Sequence, residues 1–345
     1  MNYLILKIYS NMKEERTLYA VYHLLKGKRS IQTVQDAHLY NVTDYYGIYK
    51  SLTLKDYEQI LQNLKNEKKL IKNNNTDTYK VTSKGTDYLN KSNYSRIHFS
   101  GMAYNSIAPI FYKRLLLFIQ VWTNSNKRNY IYMPIIEDVQ AEDYIKKLYR
   151  QRKGYVKIDL TYLYEELNLI LSNLPPKDVM MYVERLTSYN NYGLSLDQLA
   201  LKNELSKHTV ELILTSINHQ IISKVSADLK SFNTLNMLIE DLITKNKLTL
   251  SASKTYQLFT ENKNLQEIAN KRNLKLNTIY DHIIEIALYD SNFDIEAFVT
   301  SSEANEIMDY VKTYKTFKLK EIKDNISDEI TYFQIRLVLS TMLYS

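Results

Sequence analysis

LQEIANKRNLKLNTI, residues 265–279, repeats LDQLALKNELSKHTV, residues 196–210, at an offset of 69 residues and without a gap. Each copy places two apolar positions and an alanine on a first amphipathic segment: Leu196, Leu199 and Ala200, then Leu265, Ile268 and Ala269. Five residues beyond the alanine stands a leucine, Leu205 or Leu274, and a Thr-Val or Thr-Ile pair, Thr209-Val210 or Thr278-Ile279, opens a second segment. Two short helices crossing steeply need a small residue where their axes approach and an apolar plug in the turn between them. Val210 with Leu214, and Ile279 with Ile283, then put i and i+4 side chains on an inward face. The repeat therefore predicts two helix-turn-helix units.

The composition around the repeat agrees with helices. Six glycines and four prolines in 345 residues disfavour tight-turned all-β folds and glycine-rich phosphate loops. With 45% hydrophobic and 24% charged residues the chain is globular rather than disordered, and its length suits two or three domains of roughly 100–200 residues. The absence of cysteine excludes disulfides and thiolate zinc sites and points to a reducing compartment. No apolar run reaches the roughly 18–20 residues that span a bilayer, and MNYLILKIYS at residues 1–10 is interrupted by Lys7. The expectation is a cytoplasmic protein without a membrane partner. The 31 tyrosines accompany abundant Lys, Asn and Ile, as an A/T-rich coding sequence produces, so their number alone is no base-stacking signal.

Upstream, Leu18, Val21, Leu24 and Leu25 give a helix over Glu14 to Lys26 that ends at Gly27, and a second helix fits Ser30 to Leu39. Thr53 can cap a third helix carrying Leu54, Tyr57, Ile60, Leu61 and Leu64. KNNNTDTYKVTSKGTDYL, residues 72–89, then reads as two short strands around an Asn-rich turn. Helices followed by a short hairpin make a winged helix, whose third helix and wing usually contact nucleic acid. Lys55, Lys65, Lys68, Lys69, Lys72, Lys80 and Lys84 fall there and are candidate DNA contacts.

The middle of the chain reads as helices over Ala103 to Trp122, Ile135 to Gln151 and Leu160 to Leu171, with Pro175 and Pro176 stopping one helix and starting the next. The expected organisation is a winged-helix-like basic domain over 1–92, a helical region over 93–190, a first helix-turn-helix repeat over 191–250 and a C-terminal module over 251–345. The fold class is thus mainly α, with multiple helix-turn-helix units and one β-hairpin wing.

Charge divides along the same lines. Residues 1–92 hold 15 Lys and Arg against 9 Asp and Glu, residues 93–155 hold 10 against 4, and residues 156–345 hold 20 against 25. A basic first half is what phosphate contact requires, although a solvated basic face has the same composition. KKLYRQRKGYVK, residues 146–157, is the densest positive run, a candidate phosphate contact or a solvated helix end. In a DNA reader the second helix of each unit presents its first outward side chains to the major groove. These are Lys207, His208, Thr209 and Glu211 in one copy, and Asn277, Thr278, Tyr280 and Asp281 in the other. The helix from Lys275 to Tyr289 carries one lysine against Asp281 and Glu285, which suits a protein partner better than phosphates.

No chemistry is expected. Gly27-Lys28 is followed by Arg29 and lacks the leading glycine of a nucleotide-binding loop, so the helicase motor is absent. His23, His38, His98, His208, His219 and His282 occur in no metal-binding frame, and His282 reads as a packed residue. Adjacent acids such as Glu165-Glu166 and Asp328-Glu329 splay on a helix. Neither a catalytic site, a cofactor nor a metal is expected.

The stretch LFTENKNLQEIANKRNLKLNTIYDHIIEIAL, residues 258–288, with FDIEAFVTSSEANEIMDYVKTYKTFKLKEIKDNISDEITYFQIRLVLSTM, residues 293–342, resembles the helix-turn-helix module at the C-terminus of many bacterial RecQ-type helicases. The whole chain is similar in layout to the YpbB-like proteins, stand-alone chains encoded beside a RecQ-type helicase in low-GC Gram-positive bacteria. The resemblance implies a repair or recombination setting with DNA and a RecQ-type helicase as partners, the chain acting as a non-catalytic accessory protein. A sequence-specific transcription regulator and a docking scaffold without DNA affinity remain as alternatives from the residues themselves.

Overall fold

The structure is a computed structural model that describes residues 1–73, 76–92, 97–243, 248–261 and 263–342. It is mainly helical with one two-stranded antiparallel hairpin. No helix among the described residues is long and apolar enough to cross a membrane.

The first module comprises α1 (Asn2–Met12), α2 (Leu18–Lys26), α3 (Ile31–Leu39), α4 (Leu54–Asn66), β1 (Leu70–Lys72), β2 (Tyr79–Val81) and α5 (Ser83–Lys91). The apolar run at residues 1–10 is a helix. It buries Leu4, Ile5, Leu6, Ile8, Tyr9 and Met12, and the Tyr9 and Tyr57 hydroxyls meet at 3.0 Å to join it to α4. α2 begins at Leu18 rather than Glu14, because Lys13 and Glu14 adopt left-handed φ values of 47° and 64°. Gly27 ends α2 as expected, at φ 69°, and a Cβ there would lie 2.8 Å from the Gly47 Cα, so the two loops touch backbone to backbone.

The hairpin pairs Leu70 with Val81 and Lys72 with Tyr79, and a bridge from Thr17 to Thr78 adds a third short edge. The module thus has the helices-then-hairpin order expected of a winged-helix-like domain, with α3 as an additional helix before α4. Asn74 and Asn75 of the expected turn lie outside the described residues, as does the expected boundary at residue 93. The second strand is shorter than read: the Thr82 hydroxyl accepts from the Gly85 N–H at 3.1 Å and starts α5.

The middle module contains α6 (Gly101–Tyr104), α7 (Ala108–Asn126), α8 (Val139–Arg152), α9 (Val156–Leu171), α10 (Pro176–Glu184), α11 (Leu196–Lys202), α12 (Lys207–Ala227) and α13 (Asn233–Met237). The helix expected from Ala103 is split, and α7 restarts with Pro109 in its first turn. The helix expected from Ile135 starts at Val139, where the Asp138 carboxylate accepts from the Ala141 N–H at 2.9 Å. Phe111, Phe118 and Trp122 share one core with Ile213, Ile217 and Ile239, so residues 93–190 and 191–250 are not two separately packed units.

Buried acids organise that core. Asp159 accepts from Trp122 Nε1 at 3.0 Å and is ion-paired with Arg152, while Glu166 accepts from the backbone N–H groups of Thr234 and Leu235 at 2.9 and 2.8 Å. Each carboxylate satisfies donors that would otherwise be buried unpaired.

The last module is built from α14 (Leu250–Thr260), α15 (Leu265–Arg272), α16 (Leu276–Tyr289), α17 (Ser301–Tyr314), α18 (Leu319–Lys323) and α19 (Tyr332–Thr341). Reciprocal capping boxes at Asn264/Glu267, Thr300/Glu303 and Thr331/Gln334 fix three helix starts. α16 is central: α14, α15, α19 and also α3 pack on it. The first and last modules are further tied where the Gln35 amide donates to the Arg336 carbonyl at 2.7 Å and to Ser340 Oγ at 3.0 Å. Arg16 pairs with Asp36 at 2.7 Å and donates to the Phe317 carbonyl at 3.3 Å.

Candidate nucleic-acid interface

α4 has two faces. Tyr57, Ile60, Leu61 and Leu64 recur at helical spacing and are buried, which turns Lys55, Glu58, Gln59, Gln62, Asn63 and Asn66 outward. Thr53 caps the helix by accepting from the Asp56 N–H at 3.1 Å. The outward amides pair along the helix, Gln59 donating to Asn63 at 3.1 Å and Gln62 to Asn66 at 2.9 Å. Side-chain amides carry both the donor and the acceptor that adenine presents in the major groove. This amide row did not figure among the sequence candidates, though its i, i+4 spacing opposite the apolar stripe was readable.

All seven lysines expected on this helix and wing lie in the first module, in different states. Lys69 pairs with Glu67 at 2.6 Å and sits 3.9 Å over the Tyr88 ring, Lys72 pairs with Asp77 at 2.5 Å, and Lys80 pairs with Glu14 at 2.8 Å. Lys65 donates to Gln62 at 3.2 Å. Lys55, Lys68 and Lys84 are exposed with no acid within 4.0 Å among the described residues. The Lys72 and Lys80 pairs are themselves exposed and screened by solvent, so a phosphate can replace either carboxylate.

The repeat folds as read, but most of its outward side chains are engaged within the chain. In the first copy, α12 lodges its N-terminal turns against the winged-helix module, and Leu212 is buried in that module's core. His208 Nδ1 is hydrogen-bonded to the Tyr49 hydroxyl, Glu211 accepts from Ser51, and Thr209 is buried against Ser206. Lys207 pairs with Asp197 at 3.0 Å. His208 and Thr209 are therefore also engaged within the chain. Between α4 and α12 lies a cleft of about 370 Å³ lined by Asp56, Gln59 and Asn63 on one side and by Ser206, His208 and Thr209 on the other.

The second copy is corrected in the same way. Tyr280 stacks on Phe333 with ring centroids 4.2 Å apart, and Asp281 pairs with Arg336 at 2.9 Å, because α19 covers that face of α16. Thr278 is half-buried, and of the expected readers in this copy Asn277 alone is exposed. His282 is a packed residue, as read: it bonds Thr255 Oγ1 at 2.9 Å, and burial together with Arg272 holds its pKa below the ordinary value. The candidate residues thus fall on the lysine-bearing surface of the first module, on the start of α12, whose His208 and Thr209 share a cleft with α4, and on α16, which stands apart from both.

Residues 251–339 match the family model described as a helix-turn-helix domain. The chain is 31% identical over 340 residues to Protein YpbB of Bacillus subtilis (strain 168), a match covering 98% of this chain and 96% of that one. No solved structure matches the chain. A helix-turn-helix domain together with this relative suggests a DNA-binding role. Identity at that level across nearly the whole of both sequences means that the chain belongs to the YpbB family.

Proposed function

We propose that this protein is a non-catalytic DNA-binding accessory factor that acts with a RecQ-type helicase in the cytoplasm during repair or recombination. Duplex DNA is held by the winged-helix module and the helicase by the C-terminal module. The observation that carries the DNA assignment is the pairing of an outward amide row on α4 with the unpaired Lys55, Lys68 and Lys84, while α16 has its expected reading face covered. The helicase assignment rests on the resemblance of the C-terminal sequence to the helicase-borne module and on its acidic balance.

The test is fluorescence anisotropy of the full chain with duplex DNA over a salt series, with Lys55→Ala, Lys68→Ala and Lys84→Ala combined. Three lost phosphate contacts reduce the slope of log K against log salt by about 2.7, at roughly 0.9 per contact on B-DNA. An unchanged slope removes the winged helix from the interface. Co-purification of the full chain with the cognate helicase tests the partner. Failure there, with DNA affinity intact and a preference of roughly a thousandfold or more for one sequence, favours the regulator reading that the α4 amides also permit.

A further inference from the structure

We infer that the middle module carries a second nucleic-acid site, a pocket that takes one unstacked base of a single strand. The pocket lies between α7, the 130–134 segment and α8, encloses about 200 Å³, and is walled by Tyr130, Tyr132 and Tyr149 with Val121, Pro134 and Ile145. An apolar cavity of ~150 Å³ accepts a benzene ring, so this one has room for a pyrimidine. Its walls are preformed. The Gln120 amide donates to the Met133 carbonyl at 2.9 Å and accepts from the Ile135 N–H at 2.9 Å, pinning the segment to α7. Tyr149 is fixed by its hydroxyl bond to Ser125 at 2.6 Å, and Tyr130 stands 68% exposed at the mouth as a free aromatic face.

Cations come from both walls. The turn between Ser125 and Tyr130, both pocket residues, carries exposed Lys127 and Arg128. On α8, Lys146, Tyr149 and Arg150 follow one another at helical spacing and Lys153 caps the end of the helix, so the positive side chains flank the ring that lines the pocket. Exposed Lys146 pairs at 2.9 Å with half-buried Glu142, which lines the pocket beside it and offsets that one charge, while Lys127, Arg128, Arg150 and Lys153 have no acid within 4.0 Å among the described residues. The corner beyond is rigid: Arg152 is ion-paired with fully buried Asp159 and lies 4.7 Å over the Tyr155 ring. Aromatic faces between backbone-tracking cations are the arrangement that binds single strands without reading their sequence. A duplex keeps its bases stacked and cannot fill the cavity. The basic run at 146–157 thereby gains a role that a solvated helix end does not explain.

The site shares no residue with the winged-helix surface, so the two readings fail separately. The experiment titrates the full chain with a fluorescein-labelled thymidine oligomer of about 15 nucleotides and with a duplex of the same length. Tyr130→Ala, at an exposed position that leaves the fold intact by circular dichroism, weakens oligomer binding roughly 5- to 100-fold, the value of one base–aromatic stack. It leaves duplex affinity unchanged. Arg150→Ala combined with Lys153→Ala lowers the single-strand salt slope by about 1.4. The chain's one tryptophan, Trp122, meets Tyr149 edge-on at 5.5 Å, so its fluorescence reports filling of the pocket by unlabelled oligomer. Oligomer affinity within about twofold of wild type in Tyr130→Ala overturns the proposal. So does polyglutamate binding as tightly as the oligomer with the same Tyr130 dependence, which would make the occupant an acidic peptide.

Discussion

Lowering the pH selectively weakens this fold through His219. The imidazole is 2% exposed on α12, its Nδ1 accepts the Ser100 N–H at 3.1 Å, and the rings of Phe99 and Tyr104 pack edge-on against it. Burial pushes its pKa down from 6.5 to about 4. The folded protein therefore refuses a proton that the unfolded chain takes up near pH 6.5. Stability is complete above that value, falls as the pH drops through it, and levels off near 4. Integrated, the loss is about 2 kcal/mol at about pH 5 and about 3 kcal/mol at the plateau. His23 and His282 are also held below the ordinary value by burial, so the informative quantity is a difference between proteins. In His219→Asn the amide oxygen takes the place of Nδ1 as acceptor and nothing titrates. Urea unfolding at about pH 7 and about pH 5 should show the wild type losing about 2 kcal/mol more than the variant. Equal losses in the two proteins would refute the argument that this imidazole is buried neutral.

Leu212→Ala, at a side chain 4% exposed where α12 meets the winged-helix core, destabilises the protein by about 2–5 kcal/mol and speeds hydrogen exchange in the first turns of α12; an unchanged urea midpoint contradicts that docking. Glu166→Gln keeps the shape but turns an NH₂ toward backbone donors that the carboxylate now satisfies, at a cost of about 1–3 kcal/mol by the same assay. A Glu166→Gln midpoint equal to wild type would mean that the start of α13 is capped some other way.

What the sequence revealed was local. The alanine, turn leucine and Thr-(Val/Ile) pair of each repeat act within about 15 residues, and the helices they open at Lys207 and Leu276 are where the spacing puts them. Which faces of those helices remain open depends on partners far along the chain. Tyr280 is outward by period, yet it is covered by Phe333 of α19, and His208 is taken by Tyr49. Period alone cannot separate a solvent face from a second packed face. α1 escaped notice because Leu4, Ile5, Leu6 and Ile8 are apolar nearly all round, as a helix buried on several sides must be. The start of α2 depends on two left-handed residues, Lys13 and Glu14, of a type that seldom adopts that conformation. The wing lysines were legible as a group, but the pairing of Lys72 with Asp77 and of Lys80 with Glu14 required the hairpin to be closed.

The bond from Gln35 to the Arg336 carbonyl spans 301 residues, and it sets a timetable for synthesis. A ribosome adding 5–20 residues per second exposes α3 roughly 15–60 s before α19 can reach it. During that interval Gln35, later 1% exposed, stands in water, and Leu39 lacks the C-terminal side chains that pack against it. The nascent winged helix therefore waits with one side open, and on a crowded polysome the α19 of a neighbouring chain can arrive first and leave two molecules exchanged at that seam.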